Sequence, residues 1–462
     1  MRCAVVGGGI TGMATALGLA RRGHDVELVE AGAQLGGVAR AVRFGGHRFC
    51  PGPQYLWGFG DDEDATRLLR ALDVVVPTLP MPATFEQLRL GDEPWSDVGH
   101  VVDASGDHRF VATLDALGRA GAAIEARASF RLDGPAMVRA VATHADADAL
   151  LAVLRSRHHS VADLARACGA SSTTVRRLLY SQGIFAERLQ DLSAVVYAAA
   201  RRHLQRTLRV PVDGVVALVD ALANAATARL PVHLGERVLD LRSARDQLVL
   251  CTDRRELVVD HVVFCTSPGA LPKALQTHGR AAFAPSHSIG TSCLVVELSS
   301  EERARLHHRN FSFFADHDDV AFDAGGAHTA TINFTLPTLN GVADARAAPA
   351  RQVVCVFFPL GVADDIDVVT ARAEACLRAQ LSAMLGRDVA FAEALRISPQ
   401  TWTEHFGACD GAVYGRRLTS SSLRRTQVDR LPARVHLAHS GAGIPGVLGC
   451  LQLADAVVSE VV

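Results

Sequence analysis

The stretch VVGGGITG, Val5 to Gly12, decides how the rest of the chain is read. Just before its glycines, RCAVV (Arg2 to Val6) is a short apolar run, the pattern of a central parallel strand buried on both faces. After them, Met13, Ala16, Leu17 and Ala20 recur at helical spacing until Gly23 supplies a stop. DVELVE, Asp25 to Glu30, predicts a second strand. Within this order of strand, turn, helix and strand, Gly7, Gly9 and Gly12 stand in G-x-G-x-x-G register. The first makes the tight turn, the second lets the backbone approach a pyrophosphate, and the third lets helix and strand pack closely. Ile10 and Thr11 open the helix, whose free N–H groups and positive dipole end attract an anion. Glu30 closes the second strand about 20 residues on, where a carboxylate accepts the ribose hydroxyls of an adenosine and repels a 2′-phosphate. The expected ligand is a dinucleotide, NAD or FAD and not NADP.

Composition narrows the class. A chain of 462 residues exceeds one hydrophobic core, so two domains are expected. Hydrophobic residues at 49% and charged residues at 21% are ordinary for a globular protein. The 47 basic and 49 acidic side chains nearly cancel, which removes the electrostatic footprint of a nucleic-acid partner. Only one basic residue, Lys273, is a lysine. The ten cysteines form no C-x-x-C pair and no close Cys/His cluster, so neither a metal site nor a disulfide framework is expected. A reducing cytoplasm fits them. The first strand begins at residue 2, leaving no room for a signal peptide, and no uncharged apolar run of 18 residues offers a span. The expectation is a cytoplasmic protein with at most peripheral membrane contact.

The next residues discriminate between the two dinucleotides. EAGAQLGGVARAVRFGGHRFCPGPQYL places a second glycine pair, Gly36 and Gly37, with Arg40 just after the acid. This resembles the flavin-containing amine oxidase and phytoene desaturase superfamily, whose members bind FAD phosphates with such a segment. Later stretches resemble the phytoene desaturase branch in particular. PVDGVVALVDALA (211 to 223) is similar to its Pro-x-Gly-Gly segment and helix, with Asp213 in place of the first glycine. ERVLDLRSARDQLVLCTDRRELVVDHVVFCTSP is similar to the hairpin and strand that return to the FAD domain. LHHRNFSFFAD (306 to 316) and TLPTLNGVADARAAPARQVVCVFFPLG (335 to 361) resemble two substrate-domain segments, and HLAHSGAGIPGVLGCLQLADAVV resembles the C-terminal loop and helix at the flavin ring. The resemblance implies FAD bound by Gly7, Gly9, Ile10, Thr11, Gly12, Glu30, Ala31, Gly36, Gly37, Val38, Arg40, Pro53, Gln54, Val238, Gly443 and Val447. Three features depart from the family: Cys50 stands where an acid is usual, the segment before Gly441 is shorter, and Lys273 does not match the lysine that amine oxidases place near the reactive flavin nitrogen.

The implied fold is α/β: a discontinuous Rossmann-type FAD-binding domain (1–80, 205–275 and 415–462) with a mixed α+β substrate domain (81–204 and 276–414). The implied reaction moves a hydride from a mostly apolar specialised metabolite to flavin, forming a C=C or C=N bond. Oxygen, a quinone or another acceptor then reoxidises the flavin. A double-bond isomerase or an amine oxidase relative is the alternative, and a non-catalytic nucleotide-binding regulator the third class. Tyr55, His439 and Arg48 are the candidates for catalysis: a hydroxyl to orient a leaving proton, an imidazole as base, and a cation for an acidic substrate group. Trp57 is expected to line the pocket beside Tyr55. SVADLARACGASSTTVRRLL (160 to 179) has the outline of a DNA-binding helix-turn-helix, with Arg176 and Arg177 on the second helix. Without a basic surplus it reads as an amphipathic pair burying Val161, Leu164, Ala165 and Cys168. The pairs His158/His159 and His307/His308 are poor chelates, since adjacent side chains diverge.

Overall fold

In a computed structural model, the structure describes residues 1–97, 107–125, 147–171, 174–175, 178, 187–204, 206–273, 275–276, 288–314, 332–360, 365–408, 411–413, 415, 417–419, 431–439 and 446–461. The first strand, β1 (Arg2–Val6), is followed by α1 (Ile10–Arg21) and β2 (Asp25–Glu30), as the glycine register predicts. β1 lies at the centre of a five-stranded parallel sheet in the order Val232–Leu234, β2, β1, His261–Phe264, Val435–Leu437. Covered on both faces, Cys3, Ala4 and Val5 are fully buried, which is why this strand is apolar without alternation. One face carries α1 with helices Val215–Arg229 and Val447–Glu460; the other carries an antiparallel meander, Val238–Ala244, Gln247–Thr252 and Glu256–Val259.

Parallel strands end together. Val6, Glu30, Phe264 and Leu437 therefore open their following loops at one edge of the sheet, and β1 has neighbours on both sides there, the switch point at which open α/β sheets take ligands. Below that edge a charged cluster ties the layers. Glu27 of β2 is 8% exposed, and its carboxylate lies 2.9 Å from Arg2 Nη2, 3.0 Å from Arg255 Nη2 and 3.0 Å from His233 Nε2. Arg255, in a turn of the meander, thus ties the meander to β2 through Glu27, and its Nε donates to Glu236 Oε1 at 3.0 Å.

A second sheet has seven strands in the order Phe391–Ile397, Ser288–Glu297, Arg351–Leu360, Ile332–Thr335, Asn310–Phe314, Glu86–Leu90, Ser96–Asp97. All its pairs are antiparallel except Asn310–Phe314 with Glu86–Leu90. Alternation divides it cleanly. Leu294, Val296, Val354, Val356 and Phe358 pack under helix Ile366–Leu385, while Thr291, Cys293, Cys355 and Phe357 face the other way. Helices His108–Glu125, Ala147–Ser156, Val161–Cys168 and Ala194–Leu204 form a further core around Phe110, Leu114, Leu117 and Tyr197. In that lobe Val161–Cys168 opens on a Ser160/Asp163 capping box, ends on left-handed Gly169, and buries Val161, Leu164 and Ala165, while Cys168 is only half-buried. Arg176 and Arg177 lie outside the described residues. Among the described residues no helix is long and apolar enough to cross a membrane.

Candidate active site

The glycine turn builds an anion cradle. Gly7 takes φ 108°, a conformation that favours glycine, and turns the chain off β1. Gly9 is the N-cap of α1 and offers no side chain to the helix; the first intrahelical bond is Met13 N–H to Gly9 carbonyl at 2.9 Å. The N–H groups of Ile10, Thr11 and Gly12 thus have no carbonyl a turn earlier to receive them. Gly9 itself has φ −73° and ψ 179°, which any residue adopts, and a Cβ there would meet only Gly37 Cα at 4.0 Å. Neither backbone geometry nor protein packing explains this glycine. What a Cβ would fill is the space over the helix end, where a diphosphate fits. Gly12 differs: its Cβ would come within 1.8 Å of the Gly7 carbonyl oxygen, and it does not line the cavity, so it serves the packing of the turn and makes no contact with the ligand space.

Glu30 sits at the end of β2. Gly8 N–H donates to its Oε2 at 2.6 Å and Gly32 N–H to its Oε1 at 2.5 Å, which fixes the carboxylate and leaves further lone pairs for ribose hydroxyls. Gly36 and Gly37 continue the cradle, Gly36 N–H donating to Gly8 carbonyl at 2.8 Å. The Arg40 guanidinium stacks on Phe406, 5.0 Å from the ring centre, and makes no hydrogen bond or ion pair among the described residues. Burial lowers its basicity while Glu30 raises it; a cation held in this way suits a phosphate.

From this cradle a continuous cavity of about 1230 Å³ reaches the seven-stranded sheet. That exceeds the roughly 300–1,000 Å³ of a single small-molecule site, so it has room for a dinucleotide and a second reactant. Of the residues expected at the cofactor, Gly7, Gly9, Ile10, Thr11, Glu30, Ala31, Gly36, Gly37, Val38, Arg40, Pro53, Gln54, Val238 and Val447 line it; Gly443 lies outside the described residues. Gln54 Nε2 is engaged by the Cys50 and Gly52 carbonyls, each at 2.8 Å. Val447 opens the last helix, whose N-cap Gly446 is likewise without a side-chain cap.

Two of the three catalytic candidates reach the cavity. Tyr55 and His439 line it, with Trp57 beside Tyr55. Arg48 does not: its guanidinium forks onto Asp220 at 2.6 and 2.8 Å, because strand alternation turns it outward while Phe49 goes in. The exposed Lys273 is absent from the lining as well. Cys50, fully buried, has its thiol pushed up to about 12 by desolvation and cannot stand in for a carboxylate.

Several lining groups have no counterpart in the motif reading. Thr266 follows strand His261–Phe264; Thr291, Phe357 and Asn333 form one cross-strand row on the sheet wall; Trp402 and Phe406 come from helix Pro399–Phe406. The register that aligns the row joins residues far apart in sequence, so period-two alternation in SIGTSC was the only available signal. Thr266 Oγ1, Thr291 Oγ1 and Trp402 Nε1 are buried without a hydrogen-bond partner among the described residues. Such groups are costly unless a ligand completes them. Behind Tyr55, Asn310 Nδ2 donates to Glu86 Oε2 at 2.7 Å and, more weakly, to the Tyr55 hydroxyl oxygen at 3.4 Å.

Cradle, acid and enclosed second chamber define a dinucleotide-dependent enzyme, and comparison identifies the class. Residues 10–447 match the family described as flavin containing amine oxidoreductase, and the chain belongs to that family. It is an FAD-dependent oxidoreductase. Among solved structures it is similar to an oxidoreductase from Methanosarcina mazei, at 13% identity over 99% of this chain and 100% of that one, TM-score 0.63. It is also similar to a putrescine oxidase with bound putrescine, at 14% identity over 100% and 99%, TM-score 0.68. At these identities the likeness speaks for the fold.

Proposed function

We propose that the protein dehydrogenates a specialised metabolite with a largely apolar body, in the manner of the phytoene desaturase branch. The FAD-binding part is 1–80, 205–275 and 415–462, and the substrate-binding part the rest. The observation that carries this reading is the composition of the far chamber. Its wall includes Trp57, Leu204, Ile289 and Phe357, with Tyr55, Thr291, Asn333 and His439 as polar groups and no lysine. FAD bound along the cradle supplies a two-electron acceptor for hydride. The chain orients the substrate on this wall, excludes water with Trp57 and Trp402, and holds a proton at Tyr55 Oη or the His439 imidazole. Purified protein reconstituted with FAD tests the reading: anaerobic addition of an apolar substrate with an oxidisable C–C or C–N bond bleaches the flavin band. Turnover with no bleaching in the absence of oxygen points to isomerisation and rejects net oxidation.

A second reading, amine oxidation, is favoured by Glu86, a carboxylate only 8% exposed that stands behind Tyr55 through Asn310. Amine substrates then bleach the flavin and release a carbonyl product, which the same assay detects.

Tyr55→Phe is expected to slow flavin reduction by about 100-fold, the lower end of the range for a positioned acid or base, and to flatten the pH dependence of that step. Retained rate and unchanged pH profile would show that the Tyr55 ring only packs against Phe85, whose ring centre is 5.0 Å away.

A further inference from the structure

Among the described residues a second, smaller cavity of about 430 Å³ lies between helices His108–Glu125 and Ala194–Leu204. Four arginines line it, Arg119, Arg201, Arg202 and Arg206, against two acids, Glu63 and Asp115. Neither acid pairs with Arg202. Glu63 is taken up by neutral donors: Gly60 N–H at 2.8 Å, Thr207 N–H at 2.9 Å and Thr207 Oγ1 at 3.1 Å. Asp115 accepts from Arg201 Nη1 at 2.6 Å, and Arg206 pairs with Asp64. Arg202 reaches only the neutral Gly118 carbonyl, at 3.3 Å, and makes no ion pair among the described residues.

Arg201 carries the second observation. Its residue is 3% exposed, yet its Nε has no acceptor among the described residues. A buried guanidinium N–H left unmade is a cost that an incoming oxyanion removes, and several arginine forks around one concavity match the oxygens of a phosphoryl group better than any neutral ligand. We propose that this pocket is a binding site for a phosphoryl anion, seated on Arg201 and Arg202. The volume leaves room for an organic group attached to it. The site is distinct from the FAD cradle, and the two share a wall: Ala200 and Leu204, on the helix that bears Arg201 and Arg202, line the larger cavity.

Protein saturated with FAD, so that the cradle at α1 is filled by its own cofactor, is titrated calorimetrically with inorganic phosphate and with glycerol 3-phosphate. Sodium chloride at equal ionic strength is the control. One saturable site per chain is expected, tighter for the ester if the occupant is a phosphorylated metabolite and tighter for inorganic phosphate if it is the free ion. Arg202→Gln, at a half-buried residue without an ion pair, is expected to weaken binding about tenfold or more. Arg396→Gln, at a distant arginine paired with Glu374, is expected to leave it unchanged. Absence of saturable binding by either probe overturns the assignment. An equal response to chloride, or equal losses in Arg202→Gln and Arg396→Gln, does the same by reducing it to general surface charge.

Discussion

Gly9→Val is expected to give a folded protein that no longer retains FAD. Because Gly9 has an ordinary extended conformation and its added β-carbon would meet only Gly37 Cα at 4.0 Å, a β-carbon fits the free protein without strain. Its methyls occupy the region where the diphosphate approaches the amides of Ile10 and Thr11. The unliganded protein should therefore melt within about 1 kcal/mol of the parent's stability, while FAD binds at least about 100-fold more weakly, near 2.7 kcal/mol. Flavin absorbance after reconstitution and circular dichroism melting separate the two effects. Gly12→Ala is expected to behave in the opposite sense: its Cβ would press within 1.8 Å of a backbone oxygen that cannot swing away, costing about 3 kcal/mol of stability. A yellow Gly9→Val protein of parental affinity would remove the cradle from the FAD site.

Arg255→Met is expected to destabilise the protein by about 3 kcal/mol, the lower end for breaking a buried pair because Arg255 is itself 34% exposed. In the parent, burial pushes the Glu27 carboxyl up, but Arg2 and Arg255, with His233, hold it below its ordinary value. A depressed carboxyl contributes stability above its unfolded value, about 4.3, and that contribution is lost as pH falls through the folded value. Without Arg255, Glu236 loses its guanidinium partner at 3% exposure and Glu27 keeps only Arg2 and His233. The Glu27 carboxyl then rises, so the sign reverses: the penalty is full near pH 8 and shrinks as pH falls toward 5 and a proton neutralises it. Chemical denaturation at several pH values reads this. A penalty that grows on acidification would mean the cluster is not held by Arg255. Since Glu236 and Val238 border the cavity, FAD affinity is expected to fall in parallel.

How far this architecture could be read in advance depends on how local each feature is. The turn at Gly7, the open helix end at Gly9 and the acid at Glu30 are separated by one helix, so their spacing alone places them together. Gly36, Gly37 and Arg40 follow within a few residues of that acid and were legible through the family resemblance that their segment carries. Arg48 shows where such reasoning stops: its neighbour Phe49 is buried in the core, and only the partner Asp220, on a helix far along the chain, reveals that Arg48 points outward to an ion pair. Gly12 was legible as the glycine that lets helix and strand pack; the structure adds which atom a side chain there would strike, the carbonyl oxygen of Gly7.

The amino-acid sequence by itself determined the cofactor cradle, because strand, turn and helix are built from consecutive residues whose hydrogen-bonding needs are met or left open locally. Only the tertiary structure decided the reaction chamber and the arginine pocket. Thr291, Asn333 and Phe357 become one wall through the register of a sheet, and Arg201 and Arg202 face Asp115 and Arg119 through the packing of two helices. Register and packing sum weak contacts over the whole molecule, so no short stretch of chain contains them.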